Sequence, residues 1–295
     1  MGRTNEKQFE ILKYGLLVRA AGKINLSLLV KGNRPDGYHD IESIMAKIDW
    51  YDEILIEHGK SEIRNPKSEI SNDKPETNIE LICKGPYKVP EGEENLVYKA
   101  AEEILKIKNQ KVKSNEERNK RLRITLTKNM PAGSGLGSGS SDAAATLMGI
   151  NRFLKLGLGK REIAGLAAKL GSDVAFFLDG PVALCTGRGE KVKKLERCEF
   201  RVLLIVPDVS VSTKKVYENY RHDEAKYGRL SEEINIYIEK KRIESLGVRP
   251  VCLSGSGSSM FCIINRINEE GVKAYRDRIE KELSCRSIIV NNNTW

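Results

Sequence analysis

Hydrophobic residues fall along this chain in short blocks of two different periods. Residues 15–30 read as strand, from Gly15-Leu-Leu-Val-Arg19 to Leu26-Ser-Leu-Leu-Val30, and the polar run Lys31-Gly-Asn-Arg-Pro-Asp-Gly37 predicts a turn after them. Residues 41–56 predict further strand, ending in Glu53-Ile-Leu-Ile-Glu57. The polar segment from His58 to Asn78 repeats Lys60-Ser-Glu-Ile63 as Lys67-Ser-Glu-Ile70 and predicts a surface loop. Asn95 to Lys106 and Lys160 to Leu170 carry apolar residues at helical spacing. Leu122-Arg-Ile-Thr-Leu126 alternates like a strand, with apolar residues at 122, 124 and 126, and Ala143 to Met148 reads as helix. Arg201–Val206 and Met260–Ile264 predict later strands. This irregular alternation predicts an α+β protein with antiparallel sheets. A domain seam is placed near residue 184, dividing the chain into 1–183 and 184–295.

Between the strand ending at Leu126 and the helix from Ala143 lies Pro131-Ala-Gly-Ser-Gly-Leu-Gly-Ser-Gly-Ser-Ser-Asp142, with glycine at 133, 135, 137 and 139. Glycine lets a ligand approach the main chain closely. A helix N-terminus adds orphan N–H donors and a partial positive charge. Strand, glycine loop and helix start in that order predict a phosphate site. The loop is not a Walker A sequence, because no lysine follows the glycines. Nor is it G-x-G-x-x-G, because the third glycine would fall on Ser138 or Ser140. A glycine-serine linker is the plain alternative, and the flanking strand and helix patterns argue against it.

Composition narrows the class. The 295 residues suffice for one large domain or two ordinary ones, with 40% hydrophobic and 31% charged residues. No run of eighteen apolar residues predicts a membrane span. The N-terminal residues lack an apolar signal core, Glu6 and Glu10 argue against a transit peptide, and Glu6 stands where a myristoylation signal needs Ser or Thr. The net charge of +9 is compatible with nucleic acid, an acidic membrane or anionic small substrates. Basic residues are interspersed with acids, and the densest block, Lys106 to Arg123, lacks aromatics and reads as a solvated helix end and loop. The six cysteines form no C-x-x-C, and with three histidines they make no zinc pattern. They read as buried free thiols in a reducing cytoplasm, among them those in Val251-Cys-Leu and Met260-Phe-Cys-Ile-Ile264.

Two further motifs complete the pattern: Ala21-Gly-Lys-Ile-Asn-Leu26 followed by Gly32-Asn-Arg-Pro-Asp-Gly-Tyr-His39, and Leu253-Ser-Gly-Ser-Gly-Ser-Ser259. With the central loop they resemble, in order and content, the GHMP kinases, small-molecule kinases of galactose, homoserine, mevalonate and phosphomevalonate. Within that family the first motif, together with Gly171-Ser-Asp-Val-Ala-Phe-Phe177 and Gly187-Arg-Gly-Glu190, is similar to the branch that acts on a 4-diphosphocytidyl methylerythritol. The resemblance runs from about Val18 to Ile264. Ala21-Gly22 depart from the Pro-Ala usual in that branch, Ser138 replaces a glycine, and the span from Tyr220 to Leu253 is short.

The resemblance implies a two-domain α+β fold, with a ribosomal-protein-like nucleotide-binding domain over 1–183 and a ferredoxin-like α/β domain over 184–295. It implies transfer of the γ-phosphoryl of ATP to the 2-hydroxyl of the methylerythritol moiety, in isoprenoid precursor synthesis, with Mg²⁺. Lys23 and Asp173 would be the catalytic pair, Asp173 as base or as the group orienting the hydroxyl. Asn95 would sit near the adenine. Pro131, Gly133, Ser134, Gly135, Leu136, Gly137, Ser138, Gly139, Ser140 and Ser141 would hold the triphosphate, and Ser140 or Ser141 would help place Mg²⁺. Asn25, Tyr38, His39 and Tyr217 would contact the cytosine end, and Ser254 to Ser258 would close the site. Plainer readings stand beside these: a solvent-facing Lys23, a turn or cap at Asp173, caps at Asn95 and at Ser140, Ser141 or Asp142, and a tight turn at 254–258. The expected partner is a small molecule bearing a cytidine diphosphate group, not nucleic acid or membrane, for a cytoplasmic monomer or homodimer. A mevalonate-type kinase, an RNA-binding module and a catalytically dead relative are the rival readings.

Overall fold

The computed structural model describes residues 8–35, 39–59, 78–111, 121–196, 199–207, 247, 251–292 and 295. Its contacts divide the chain into two compact units, neither of them a single run of sequence. One takes residues from Met1–Ala20, Asp52–Asn129 and Asp142–Gly171; the other takes Ala21–Tyr51, Met130–Ser141 and Ser172–Trp295.

The first unit holds β1 (Phe9–Ile11), β4 (Ile79–Lys84), α1 (Leu96–Lys111), β5 (Leu122–Thr127) and α3 (Lys160–Leu170). It also takes residues 15–20 of β2 (Gly15–Asn33), residues 52–58 of β3 (His39–His58) and residues 142–153 of α2 (Ser138–Phe153). β5 lies between β3, antiparallel to it, and β4, parallel to it. The alternation read in the sequence is the sheet's pleat: Leu122, Ile124 and Leu126 are buried with Ile54 and Ile56, while Arg123 turns outward to a bidentate pair with Glu80. Each such buried side chain contributes about 1.5–3 kcal/mol relative to exposure. Helix α2 lies very close to this sheet. A Cβ on Gly149 would stand 2.5 Å from Ile56 Cδ1 and 2.8 Å from a Val18 methyl, so any larger residue must push those side chains aside.

The second unit holds α4 (Val174–Phe177), β6 (Val182–Gly187), β7 (Lys191–Lys194), β8 (Arg201–Val206), β9 (Cys252–Leu253), β10 (Met260–Ile263), α5 (Glu269–Leu283) and β11 (Arg286–Asn291). β6 pairs antiparallel with residues 41–46 of β3 and with β7. The order β11-β8-β10-β9 forms a separate four-stranded sheet, so sheet membership changes between Lys194 and Arg201. β8 has no polar alternation because both its faces are covered. Val202, Leu204 and Val206 join Ile24, Ile48, Leu136 and Val182 on one side; Leu203 and Ile205 join Val272 and Ile279 of α5 on the other.

Several expectations shift. β2 continues to Asn33, beyond the start of the predicted turn. Helix α2 begins at Ser138 rather than near Ala143, so Ser140, Ser141 and Asp142 lie within the helix and none of them is its N-cap. Cys185, Cys262 and Cys285 are buried free thiols, but Cys83 is half-buried and Cys252, on the end strand of its sheet, is exposed. Tyr38, Tyr217, Cys198 and most of the polar insert lie outside the described residues.

Candidate active site

The glycine loop, β2, β6 and the segment before α4 all contribute to one neighbourhood in the second unit. Gly133, Gly135 and Gly137 take φ of +68°, +78° and +65°. At Gly135 nothing else fits: a Cβ would stand 2.0 Å from the Ser254 carbonyl oxygen and 2.9 Å from that of Gly257. The loop's carbonyls are spoken for. Gly135 O accepts from Lys23 Nζ at 2.7 Å and from Ser254 Oγ at 2.9 Å, Leu136 O from Lys23 N at 2.9 Å, and Ser134 O from Ser259 N at 3.0 Å. Among the described residues, the backbone N–H groups from Gly135 to Ser140 find no protein acceptor. A run of unsatisfied donors at a helix N-terminus suits an anion.

The loop serines have separate attachments. Ser134 Oγ and Ser138 Oγ both donate to Pro131 O, at 2.9 and 3.3 Å, closing the loop at its base. Ser141 Oγ donates to Ala21 O at 2.7 Å, tying the helix start to β2. Gly139 and Ser140 are half-buried.

Lys23 is 3% exposed, not solvent-facing. Its ammonium donates to Gly135 O and, at 2.6 Å, to Asn25 Oδ1. Burial pulls its pKa below the ordinary lysine value, opposed by the negative charge of Asp173 and less by Cys185. Asp173 therefore acts electrostatically on Lys23. It precedes α4, yet its carboxylate makes no capping bond. Gly189, in the β6–β7 turn, leaves room beside it: a Cβ there would stand 3.4 Å from Asp173 Oδ1. Burial, then the Asp173 charge, pushes the Cys185 thiol up to about 12, so it stays protonated. The 254–259 turn lies against Lys23: a Cβ on Gly255 would stand 3.3 Å from Lys23 Nζ and 3.2 Å from Asn25 Oδ1.

Asn25 commits its amide to this cluster: Nδ2 donates to Ser43 Oγ at 2.7 Å while Oδ1 accepts from Lys23. His39 is half-buried at the start of β3. Asn95, in the first unit, caps α1: its Oδ1 accepts from Val97 N at 2.9 Å, and its Nδ2 donates to Pro90 O at 2.7 Å. Sequence reasoning missed Ser43 and Lys47, which share the buried parity of Ile41 and Met45 on β3; a lysine at an inward strand position was the available signal. It also missed the buried cluster of Lys128, Asp52 and Asp142 in the first unit.

Among the described residues no three His, Cys, Asp or Glu side chains gather as a metal cage. Mg²⁺ carried by a nucleotide needs none, because it keeps waters and phosphate oxygens as most of its ligands. The half-buried hydroxyl of Ser140, in the first turn of α2, fits that demand better than that of Ser141, which is buried and donates to Ala21 O.

Residues 95–181 match the family described as GHMP kinases N terminal domain. A 4-diphosphocytidyl-2-C-methyl-D-erythritol kinase of Geobacillus is 34% identical over 300 residues, covering 90% of this chain and 95% of the relative. A crystal structure of 4-(cytidine 5'-diphospho)-2C-methyl-D-erythritol kinase aligns with a TM-score of 0.69 at 25% identity, over 94% of this chain and 99% of the other. Homoserine kinase from Cytophaga hutchinsonii, 18% identical with a TM-score of 0.62 over 98% of each chain, shares the fold. No described helix is long and apolar enough to cross a membrane. With a third of its residues identical over nine-tenths of its length, and a glycine loop to match, the chain belongs to the GHMP kinases, in the 4-diphosphocytidyl-2-C-methyl-D-erythritol kinase family.

Proposed function

We propose that this small-molecule kinase transfers the γ-phosphoryl of ATP to the 2-hydroxyl of 4-diphosphocytidyl-2-C-methyl-D-erythritol, in non-mevalonate isoprenoid precursor synthesis. The observation that carries this reading is the buried Lys23 ammonium, bonded to the glycine loop at Gly135 and acted on by the charge of Asp173. The loop from Pro131 to Ser141 holds the triphosphate through its N–H groups, and Lys23 stands beside the transferred group. Asp173 orients the acceptor hydroxyl and receives its proton as the oxygen attacks phosphorus and the bond to the leaving ADP breaks. Such transfer depends on positioning and charge stabilisation. Ser140 or Ser141 would help hold a triphosphate-bound Mg²⁺, which would supply neutralisation of phosphate charge. Asn95 would serve the adenine, and Tyr38, His39 and Tyr217 would contact the cytosine; Asn25, whose amide is bonded to Lys23 and Ser43, would meet the substrate nearer the transferred group. By sequence, 1–183 would be the nucleotide-binding region and 184–295 the second region of a cytoplasmic monomer or homodimer, a division that differs from the two compact units, since residues 21–51 and 130–141 group with 172–295.

The test is a coupled assay with ATP, Mg²⁺ and the cytidyl substrate, set against mevalonate and homoserine. Turnover of the cytidyl substrate alone is expected; preference for either other alcohol would sink the reading. Two further results follow from the geometry. Gly135→Ala forces a left-handed φ and a backbone clash, so ATP binding should weaken about tenfold or more in calorimetry. Burial lowers the Lys23 pKa, so the charged form is lost at a lower pH than for an exposed lysine. The rate should therefore fall on the alkaline side before pH 10.5, the ordinary lysine value, and a flat profile to that pH would contradict the role.

A further inference from the structure

Two buried polar side chains on β3 take no part in the scheme above. Ser43 and Lys47 stand four residues apart on one face of the strand and are 0% and 2% exposed. A buried hydroxyl or ammonium costs free energy unless it is hydrogen-bonded. Both are bonded, and each leads to one member of the reacting pair.

Ser43 Oγ donates to Ser27 O at 2.6 Å, which leaves its lone pairs to accept Asn25 Nδ2 at 2.7 Å. That choice fixes the amide: its nitrogen faces Ser43, so its oxygen faces the Lys23 ammonium at 2.6 Å. A flipped amide would set N–H donors against an ammonium. Ser43 lies opposite Cys185 in the β3–β6 register, and that protonated thiol is no rival acceptor for the charge. The groups facing Lys23 are thus Asn25 Oδ1, Gly135 O, Asp173 and Cys185.

Lys47 works on the other side. Its Nζ donates to Phe177 O at 3.1 Å and Asp179 O at 2.6 Å, and its backbone N donates to Pro181 O at 2.8 Å. Helix α4 is a single four-residue turn, too short to hold itself. A cation on its last carbonyls satisfies orphan acceptors and complements the local dipole. Asp173 sits at the opposite end of that turn and makes no capping bond, so it does not anchor the helix itself.

We propose that this face of β3 positions both halves of the reacting pair: Ser43 holds Lys23 through Asn25, and Lys47 holds Asp173 through the carbonyl end of α4. The inference rests on the roles given to Lys23 and Asp173 under the proposed function. Both β3 residues are positioning residues that touch neither substrate.

The experiment compares Ser43→Ala, Ser43→Thr, Lys47→Met and Lys47→Arg with the wild-type chain, by kinetics across pH, thermal unfolding and NMR titration of isotope-labelled lysine. Ser43→Ala should lower kcat about tenfold with KM values nearly unchanged. Its Lys23 titration, read residue by residue in the NMR experiment and so separate from that of Lys47, whose pKa burial lowers to about 8 against the Asp179 charge, should move to lower pH, because the ammonium loses an oriented acceptor. Ser43→Thr should restore both. Lys47→Met should lower kcat about tenfold with ATP binding intact, and Lys47→Arg should recover part of it. If Lys47→Met does not fold, Lys47→Gln, a neutral donor, is measured instead with the same expectation. An unmoved Lys23 titration in Ser43→Ala overturns the first half; wild-type kcat in the folded Lys47 variant overturns the second. The NMR shift is independent of turnover, so a wild-type protein inactive on the cytidyl substrate would count against the proposed reaction and leave the Ser43 arm decided.

Discussion

Asp173→Asn should lower turnover by about 10²–10⁴-fold while leaving ATP-analogue binding within a few-fold of wild type. The amide keeps the shape of the carboxylate but loses its charge and its ability to take a proton. The side chain makes no capping bond to α4, so the substitution removes no structural tie and the fold should persist. A second signature separates this role from a general defect. The Asp173 charge opposes the effect of burial on Lys23, so removing it should move the Lys23 titration to still lower pH. Steady-state kinetics, calorimetry with a non-hydrolysable ATP analogue and the lysine titration together check this. Near-normal turnover would refute the assignment.

Lys128→Met should destabilise the folded chain by about 3–5 kcal/mol near neutral pH. Lys128 is 1% exposed and is bonded to two buried carboxylates, Asp52 and, at 2.8 Å, Asp142. Burial by itself would lower the lysine's pKa. The charges and hydrogen bonds of Asp142 and Asp52 outweigh it, and the net shift is upward. Without the ammonium, two carboxylates face each other with no cation. Burial already raises the Asp142 pKa, with the Asp52 charge adding to it and Lys128 opposing it. A carboxyl group with a raised folded pKa contributes stability that is fully present below its ordinary value of 3.8 and is lost as pH rises through the folded value. Removing Lys128 strengthens that behaviour. The gap in melting temperature between Lys128→Met and wild type should therefore widen from acid toward alkaline pH; a constant gap would show that the loss is one of packing alone.

Much of the fold could be read along the chain. The alternation at 122, 124 and 126 marked a half-buried strand, because the pleat repeats every two residues. The helical spacings at 95–106 and 160–170 are equally local, and the first of these helices runs on to Lys111. The start of α2 was misjudged, because Ser138 and Gly139 are poor helix formers and enter the helix through tertiary bonds, among them Ser138 Oγ to Pro131 O. Asn95 reads as a cap from its local sequence and does cap α1. Lys47 broke the apolar parity of β3, yet nothing nearby in sequence names its partners, which lie 130 and 132 residues away.

The residue types of the glycine loop, the order of the three motifs and the family are properties of the sequence itself, because spacing and glycine content are local. The bonding of Lys23 to Gly135 across 112 residues, the choice of Asn25 as its second acceptor, and the assembly of Lys128 with Asp52 and Asp142 were decided only by tertiary structure. Burial sets how strongly a charge feels its neighbours, and main-chain carbonyls look alike in any sequence until the fold selects one as an acceptor.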